Sequence, residues 1–475
     1  MKVIKNFLYN AGYQLLVLIV PFVTAPYISR VLHAGGVGIN AYTNSIVQYF
    51  VLFAELGITT YGNREIAYVR DDPQKLSQVF WEIQLIKLIT TIGSLVVYSF
   101  FIVSYNKFVY FLVFQAVNIV GVAFDISWAY MGMEDFKRTA VKNTVVRLLS
   151  LVLIFVFVRN IHDVGIYILI IAGTGLVGHL TLWPHMRNVL VPVKFRELHP
   201  WRHFRPILAL FVPTVATTIY VQLNKTMLGV MIGTTYSGYY YNSDQVIKMV
   251  LSVATALGAV MLPHVAAEFA KGNQEKINEL LYKSFDAMSL LCTAMFFGVA
   301  AVSLRLGPWF YGKGFQPVGP AMVIESVVLL VIGWSNVIGT QFLVPTNRVR
   351  PYTMSIIAGS LFNICANFFL IKAWGLNGAM VSTVLSEIVV TSYQLWSIRH
   401  IVQFRAMFKN VWKYLLAGVG MFIPVFYLNY TLTPGIVHFA LEIMLGAIIY
   451  IVLVVVLHPA IMQEVVTLVK KRRID

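Results

Sequence analysis

Fourteen apolar stretches, divided by short polar turns, constrain this 475-residue chain more than any other feature. They lie at 9–32, 37–60, 83–103, 108–131, 145–158, 164–184, 206–231, 237–262, 284–305, 319–345, 353–373, 376–398, 414–431 and 436–458. Most approach the roughly 20 residues that an α-helix needs to cross a bilayer core. Only 12% of residues are charged and 58% are hydrophobic, against roughly 25% charge in a soluble protein. Lipid must be the main solvent, which excludes a soluble enzyme, a disordered chain and a disulfide scaffold. Cys292 and Cys365 sit in apolar runs with no zinc spacing. The opening segment, MKVIKNFLYNAGYQLLVLIVPF, has no small-residue cleavage site after it and reads as a retained first span. The expected fold class is an all-α polytopic membrane protein of about 14 transmembrane helices.

The net charge of +16 would suggest nucleic acid as the partner of a soluble chain. In a membrane protein, cytoplasmic loops retain Lys and Arg, so their placement decides. With the N-terminus inside, 28 of the 36 basic residues fall on inner segments, among them Arg64, Arg70, Lys75, Lys87, Lys142, Arg196, Arg202 and the tail Lys470–Arg473. This places both termini in the cytoplasm and removes the case for nucleic acid. The basic tail KKRRID reads as an anchor for anionic lipid. The longest outer turn, GPWFYGKGFQPVG (307–319), is too short to form an external catalytic domain. No GxxxxGK loop followed by Ser or Thr is present, so the chain does not hydrolyse ATP itself. We expect a protein that is not an enzyme and needs no cofactor.

The first and seventh spans resemble each other, LIVPFVTAPYISRVL (18–32) beside LFVPTVATTIYVQLN (210–224), each with a mid-span proline. Short turns with glycine follow, then VGINAYTNS (37–45) and SGYYYNSDQ (237–245). Two parallel six-span repeats, residues 1–200 and 201–400, would enclose a central cavity and work by alternating access. Residues 401–475 would add two further helices and the tail. Pro21, Pro26 and Pro213 each remove a helix hydrogen bond, allowing a bend or a static kink.

A charge at mid-bilayer costs about 2.5–3.5 kcal/mol on insertion scales, so a charge inside a span normally faces protein or a wet cavity. The candidates are Arg30, Lys225 and Lys248, with the acids Glu55, Asp125, Asp244, Glu325 and Glu387. Arg30 and Lys225 sit at equivalent places in the two repeats; they either grip one anionic group or snorkel to the outer surface. Asp244 and Lys248, four apart with the acid first, suit a helix ion pair as well as a substrate contact. The remaining acids either carry protons or ions or hydrogen-bond between helices. His33, His179 and His264 show no metal-ligand spacing.

The segments VPFVTAPYISRVLHAGGVGINAYTNSIVQYF (20–50), ELGITTYGNREIA (55–67), FDISWAYMGMEDFKRTAVKN (124–143), NKTMLG (224–229) and VMLPHVA (260–266) resemble the polysaccharide repeat-unit flippases. These belong to the multidrug/oligosaccharidyl-lipid/polysaccharide exporter superfamily. The resemblance implies a bacterial inner-membrane transporter of two six-helix lobes plus two helices. It would carry an undecaprenyl-pyrophosphate-linked oligosaccharide to the outer leaflet for capsule, exopolysaccharide or O-antigen assembly, beside glycosyltransferases and a polymerase. It also implies a cationic cavity for the pyrophosphate and drive by an ion gradient or membrane potential. Where relatives often read DKTM, this chain has Asn224-Lys225-Thr226-Met227, which keeps the lysine and drops the acid. Two negative charges moving outward across about 100 mV gain roughly 4.6 kcal/mol, so ATP is not required. A cation-coupled drug exporter of the superfamily and a flippase for the peptidoglycan lipid precursor are the competing transport readings.

Overall fold

Runs of apolar residues in lipid must satisfy every backbone group internally, which only helices and closed barrels achieve. The chain takes the helical solution. A computed structural model describes residues 2–459, with side chains placed from Val20 onward except at 212, 213, 257, 259 and 260. No strand occurs among the described residues. Among them, nine helices are long and apolar enough to cross a membrane, or eleven if each of two bent pairs is one span. The tail KKRRID lies outside the described residues. Two compact units divide the chain, Met1–Gly238 and Tyr239–Asp475.

In the first unit, α1 (Lys2–Glu55) is broken at His33, whose φ of 54° is left-handed. The break falls between the first two expected spans. Helix α2 (Ile58–Val69) follows a second left-handed pair, Leu56 and Gly57. Helix α3 (Pro73–Tyr105) runs antiparallel to the second half of α1: Thr90 Oγ1 donates to the Ala54 carbonyl at 2.6 Å, Ser94 Oγ to Phe50 at 2.7 Å, and Tyr105 meets Tyr42 at 2.6 Å. Next come α4 (Val109–Phe124), α5 (Ser127–Gly132), α6 (Phe136–Phe157), α7 (Val164–Leu180), α8 (Trp183–Val189) and α9 (Phe204–Met231). Helix α6 starts nine residues before the expected 145; of its early charges Lys137 and Arg138 are exposed, while Lys142 turns inward to Ser127. A core of Tyr61, Phe80, Trp128 and Tyr130, with Met186 packed among the rings, closes the basic end of this unit. The Phe80 and Trp128 rings stack at 5.5 Å.

Helix α10 (Thr234–Ala270) leads into the second unit, which continues with α11 (Gln274–Tyr311), α12 (Val318–Glu325), α13 (Val327–Ile338), a π-turn at Gly339–Leu343, and α14 (Val349–Ile398). Helix α14 reverses at Gly375, where φ is 57°. Asn363 Nδ2 bonds Ser382 Oγ at 3.2 Å, although nineteen residues of straight helix would span about 28 Å. The short α15 (Phe404–Met407) precedes α16 (Val411–Thr431) and α17 (Ile436–Leu457). Asn429 and Glu442 join these last two helices at 2.9 Å, each buried polar group satisfying the other.

Candidate functional site

Four of the eight expected site residues meet in the second unit. Asp244 and Lys248 share one face of α10, and Lys248 Nζ lies 2.6 Å from Asp244 Oδ2. Glu325, at the last turn of α12, is buried and accepts a 2.6 Å bond from Ser243 Oγ. Asp244 and Lys248 both act on it electrostatically. Glu387 on α14 is nearly buried and, with Glu325, contributes to the electrostatic field at Lys248. One turn before it, Thr383 meets the Tyr240 hydroxyl at 3.2 Å. The result is three carboxyl groups around one ammonium, on three helices. Lys248 keeps 51% of its side chain accessible, so the cluster has an open side.

Two more expected residues, Glu55 and Asp125, flank Lys87, a cation grouped by charge with the inner segments. Lys87 lies fourteen residues into α3 and is fully buried. Its Nζ donates to the Asp125 backbone carbonyl at 2.7 Å, and both Glu55 and Asp125 act on it electrostatically. Asp125 ends α4 as a turn residue, accepting from Ser127 N at 3.0 Å and Ser127 Oγ at 2.5 Å. His179 Nδ1 stands 3.0 Å from Asp125 Oδ1, and Lys142 Nζ donates to Ser127 Oγ at 3.0 Å. Lys87 falls inside the span at 83–103, so the apolar flanks LI on either side of it were the available signal. Lys142 and His179 needed the fold, because they come from α6 and α7.

Arg30 is exposed on α1, and Lys225 on α9 is buried at 8% accessibility. The NKTMLG segment is seated against α1: Thr226 Oγ1 donates to Ser45 Oγ at 2.9 Å and meets the Tyr49 hydroxyl at 3.2 Å. Gly229 lies where a β-carbon would enter the Tyr42 ring. Close helix approach is therefore the role of this glycine.

At the basic end, a third polar centre was not foreseen. Glu82 has no accessible side chain and accepts from Arg202 at 2.6 Å, His203 Nε2 at 2.7 Å and the His199 backbone N–H at 2.8 Å. His203 Nδ1 in turn meets the Tyr61 hydroxyl at 2.7 Å. Beside it opens a cavity of about 470 Å³, lined by Tyr61, Glu65, Lys75, Gln78, Arg202 and His203 among others. The partners are more than one hundred residues apart in sequence, which hides the centre from any spacing argument.

Many crossing helices, with buried charge clusters inside each unit, define a multi-pass helical membrane transporter fold. Two solved structures have the same architecture. "Lipid II flippase MurJ, inward closed conformation" superposes with a TM-score of 0.75 at 15% identity, covering 97% of this chain and 100% of that one. An inward-facing multidrug resistance MATE family transporter of the MOP superfamily gives 0.63 at 13% identity, covering 81% and 98%. In sequence, the "Putative O-antigen transporter" of Escherichia coli strain K12 is 23% identical over 419 residues, 83% of this chain and 96% of that protein. The chain belongs to the polysaccharide biosynthesis protein family, whose profile matches residues 3–268.

Proposed function

We propose that the protein is a flippase that moves an undecaprenyl-pyrophosphate-linked oligosaccharide repeat unit from the inner to the outer leaflet of the bacterial cytoplasmic membrane. Both termini lie in the cytoplasm, and the product feeds O-antigen, capsule or exopolysaccharide assembly. The observation that carries this reading is the family match, together with relatives whose names specify O-antigen transport. The physical problem fits the fold class: the sugars and pyrophosphate are too polar for hydrocarbon and need a wet path, while the polyprenyl tail stays in lipid. The protein acts as a carrier by alternating access and catalyses no bond change.

In this reading Arg30, Lys225 and Lys248 contact the pyrophosphate. Glu55, Asp125, Asp244, Glu325 and Glu387 couple transport to an ion gradient or stabilise the helices. The Asp244–Glu325–Lys248 cluster supports coupling, because acids gathered beside a cation can exchange a proton or ion when an anion draws that cation away. Purified protein in vesicles provides the test, with a polyprenyl-pyrophosphate oligosaccharide whose outer-leaflet sugar is oxidised by impermeant periodate. The expected result is complete oxidation with the protein and about half without it, since lipid mixes between leaflets only when carried.

The three acids around Lys248 also favour a second reading, a cation-coupled drug exporter, in which carboxylates bind the cargo. A flippase for the peptidoglycan lipid precursor is the third. Efflux of a fluorescent organic cation from the same vesicles, with no oligosaccharide movement, would select the exporter. Movement of the peptidoglycan precursor alone would select the third.

A further inference from the structure

The geometry points to a second role for the segment Lys194–Arg205: it is an interfacial strap that docks on the anionic phospholipid headgroups of the leaflet at the basic end. Three observations lead there.

First, the segment is held along its length to α3 rather than left slack. Val191 N–H donates to Ser77 Oγ at 2.9 Å, Gln78 Nε2 to the Glu197 carbonyl at 3.0 Å, and His199 N–H to Glu82 at 2.8 Å. Arg202 and His203 then close on the same Glu82. The acceptors and donor on α3 span residues 77–82, less than two helical turns, so the strap is pinned at one depth.

Second, its free face is apolar and aromatic. Phe195 is 75% and Trp201 64% accessible, and Trp201 is steadied by an edge-on contact with Phe204 at 5.8 Å. A rigid segment that presents two large rings to water carries a hydration cost that burial would remove. Trp is the side chain most at home at headgroup level, where its ring is half in lipid and its N–H is wet. Helix α9 begins at Phe204, so the strap runs directly into an apolar helix that crosses the membrane if its two bent halves are one span.

Third, the charge is complementary to an anionic surface. Lys194, Arg196, Arg202 and Arg205 stand against one acid, Glu197. Arg196 and Arg205 are exposed and take part in no ion pair among the described residues. Basic residues interleaved with aromatic ones at a span boundary are the pattern of anionic-lipid attachment.

The test uses the full chain in nanodiscs, either of phosphatidylcholine alone or with phosphatidylglycerol. In a Cys365→Ser background, where the remaining Cys292 is buried, Phe195→Cys carries an environment-sensitive dye. A blue-shifted emission and about twofold greater quenching by brominated lipid in the phosphatidylglycerol discs is expected, reversed by high salt. Arg196→Gln with Arg205→Gln abolishes the dependence on phosphatidylglycerol. Trp201→Cys, labelled in the same way, serves as the second reporter if the first variant fails to fold. Equal emission in both lipids, open to aqueous quencher, overturns the proposal. A dye that stays wet in phosphatidylglycerol but becomes shielded in native membrane vesicles also overturns it, and assigns the strap to a protein partner.

Discussion

Gly62 of α2 lies flat against the indole of Trp128 on α5, so close that a β-carbon at Gly62 would overlap the ring. A second contact of the same kind holds Gly132 against the Asn63 carbonyl, 2.7 Å from where its β-carbon would stand. The YGNREI and DISW boxes that carry the family resemblance are therefore two faces of one contact. They build the basic end of the first unit. We expect Gly62→Ala to lower stability by about 1–3 kcal/mol through overpacking. Trp128→Leu in the same chain should recover part of the loss, because the clash is with its ring. Thermal unfolding of the purified variants measures both.

Glu82 gathers Arg202, His203 and the His199 N–H into a site with no water access at the carboxylate. Removing the acid leaves Arg202 and the His199 N–H without their acceptor. Since Arg202 is half exposed, we expect Glu82→Ala to cost about 3 kcal/mol, at the low end for a broken buried pair. Trypsin should then cut faster at Lys194 and Arg196, which the intact protein holds on the strap. Unchanged cleavage would show that the strap is retained by its other contacts.

Lys87 is buried between Asp125 and Glu55. Lys87→Met keeps the length of the side chain and removes the donor to the Asp125 carbonyl, leaving two acids without their shared cation. A loss of about 3 kcal/mol is expected, and most should return in the Lys87→Met, Asp125→Asn double variant. The measured coupling between the two positions decides whether they act as one unit.

Lys248 is half exposed, so its pair with Asp244 contributes less than about 1 kcal/mol to stability. Lys248→Gln should therefore leave the amount of protein in the membrane unchanged while lowering polymer on cells by about tenfold, the effect of losing one charge-assisted contact. Glu325→Gln tests the partner acid by the same assay. Normal polymer from Lys248→Gln would remove the lysine from the transport path.

Asp72 caps α3, accepting from the backbone N–H of Lys75 at 3.2 Å and of Gln74 at 3.1 Å. The Lys75 N–H and then its ammonium hold the Asp72 carboxyl below its ordinary 3.8. A lowered carboxyl stabilises the folded chain above the unfolded value, and that gain is lost as the pH falls through the folded one. The stability difference between wild type and Asp72→Asn should be flat above about pH 5 and shrink on acidification below about pH 4. A difference that grows in acid would contradict the assigned sign.

Much of the fold was legible because the spans are written in hydropathy. The stretches 353–373 and 376–398, for example, flank the break at Gly375 that the structure contains. Intramembrane acids could be listed for the same reason, and Asp244 with Lys248 could be paired by spacing alone. What spacing could not supply was the third helix. Glu325 and Glu387 reach that pair from α12 and α14, and His179 reaches Asp125 from α7. Charge alone groups Lys87 with the inner segments, whereas its apolar neighbours agree with its burial in α3. Glu82 leaves no spacing signal, since its partners His199, Arg202 and His203 are more than one hundred residues further along the chain.

A single glycine joins the two arms of α14, and the arms touch almost at once: Gly378 leaves no room for a β-carbon beside the Leu370 carbonyl. Asn363 accepts from Asn367 within the first arm and donates to Ser382 across the seam. The first arm alone in hydrocarbon would leave the Asn363 side-chain N–H without the hydroxyl it meets here. We therefore expect the two arms to enter the membrane as one hairpin, so that a mutation loosening Gly375 lowers the amount of inserted protein.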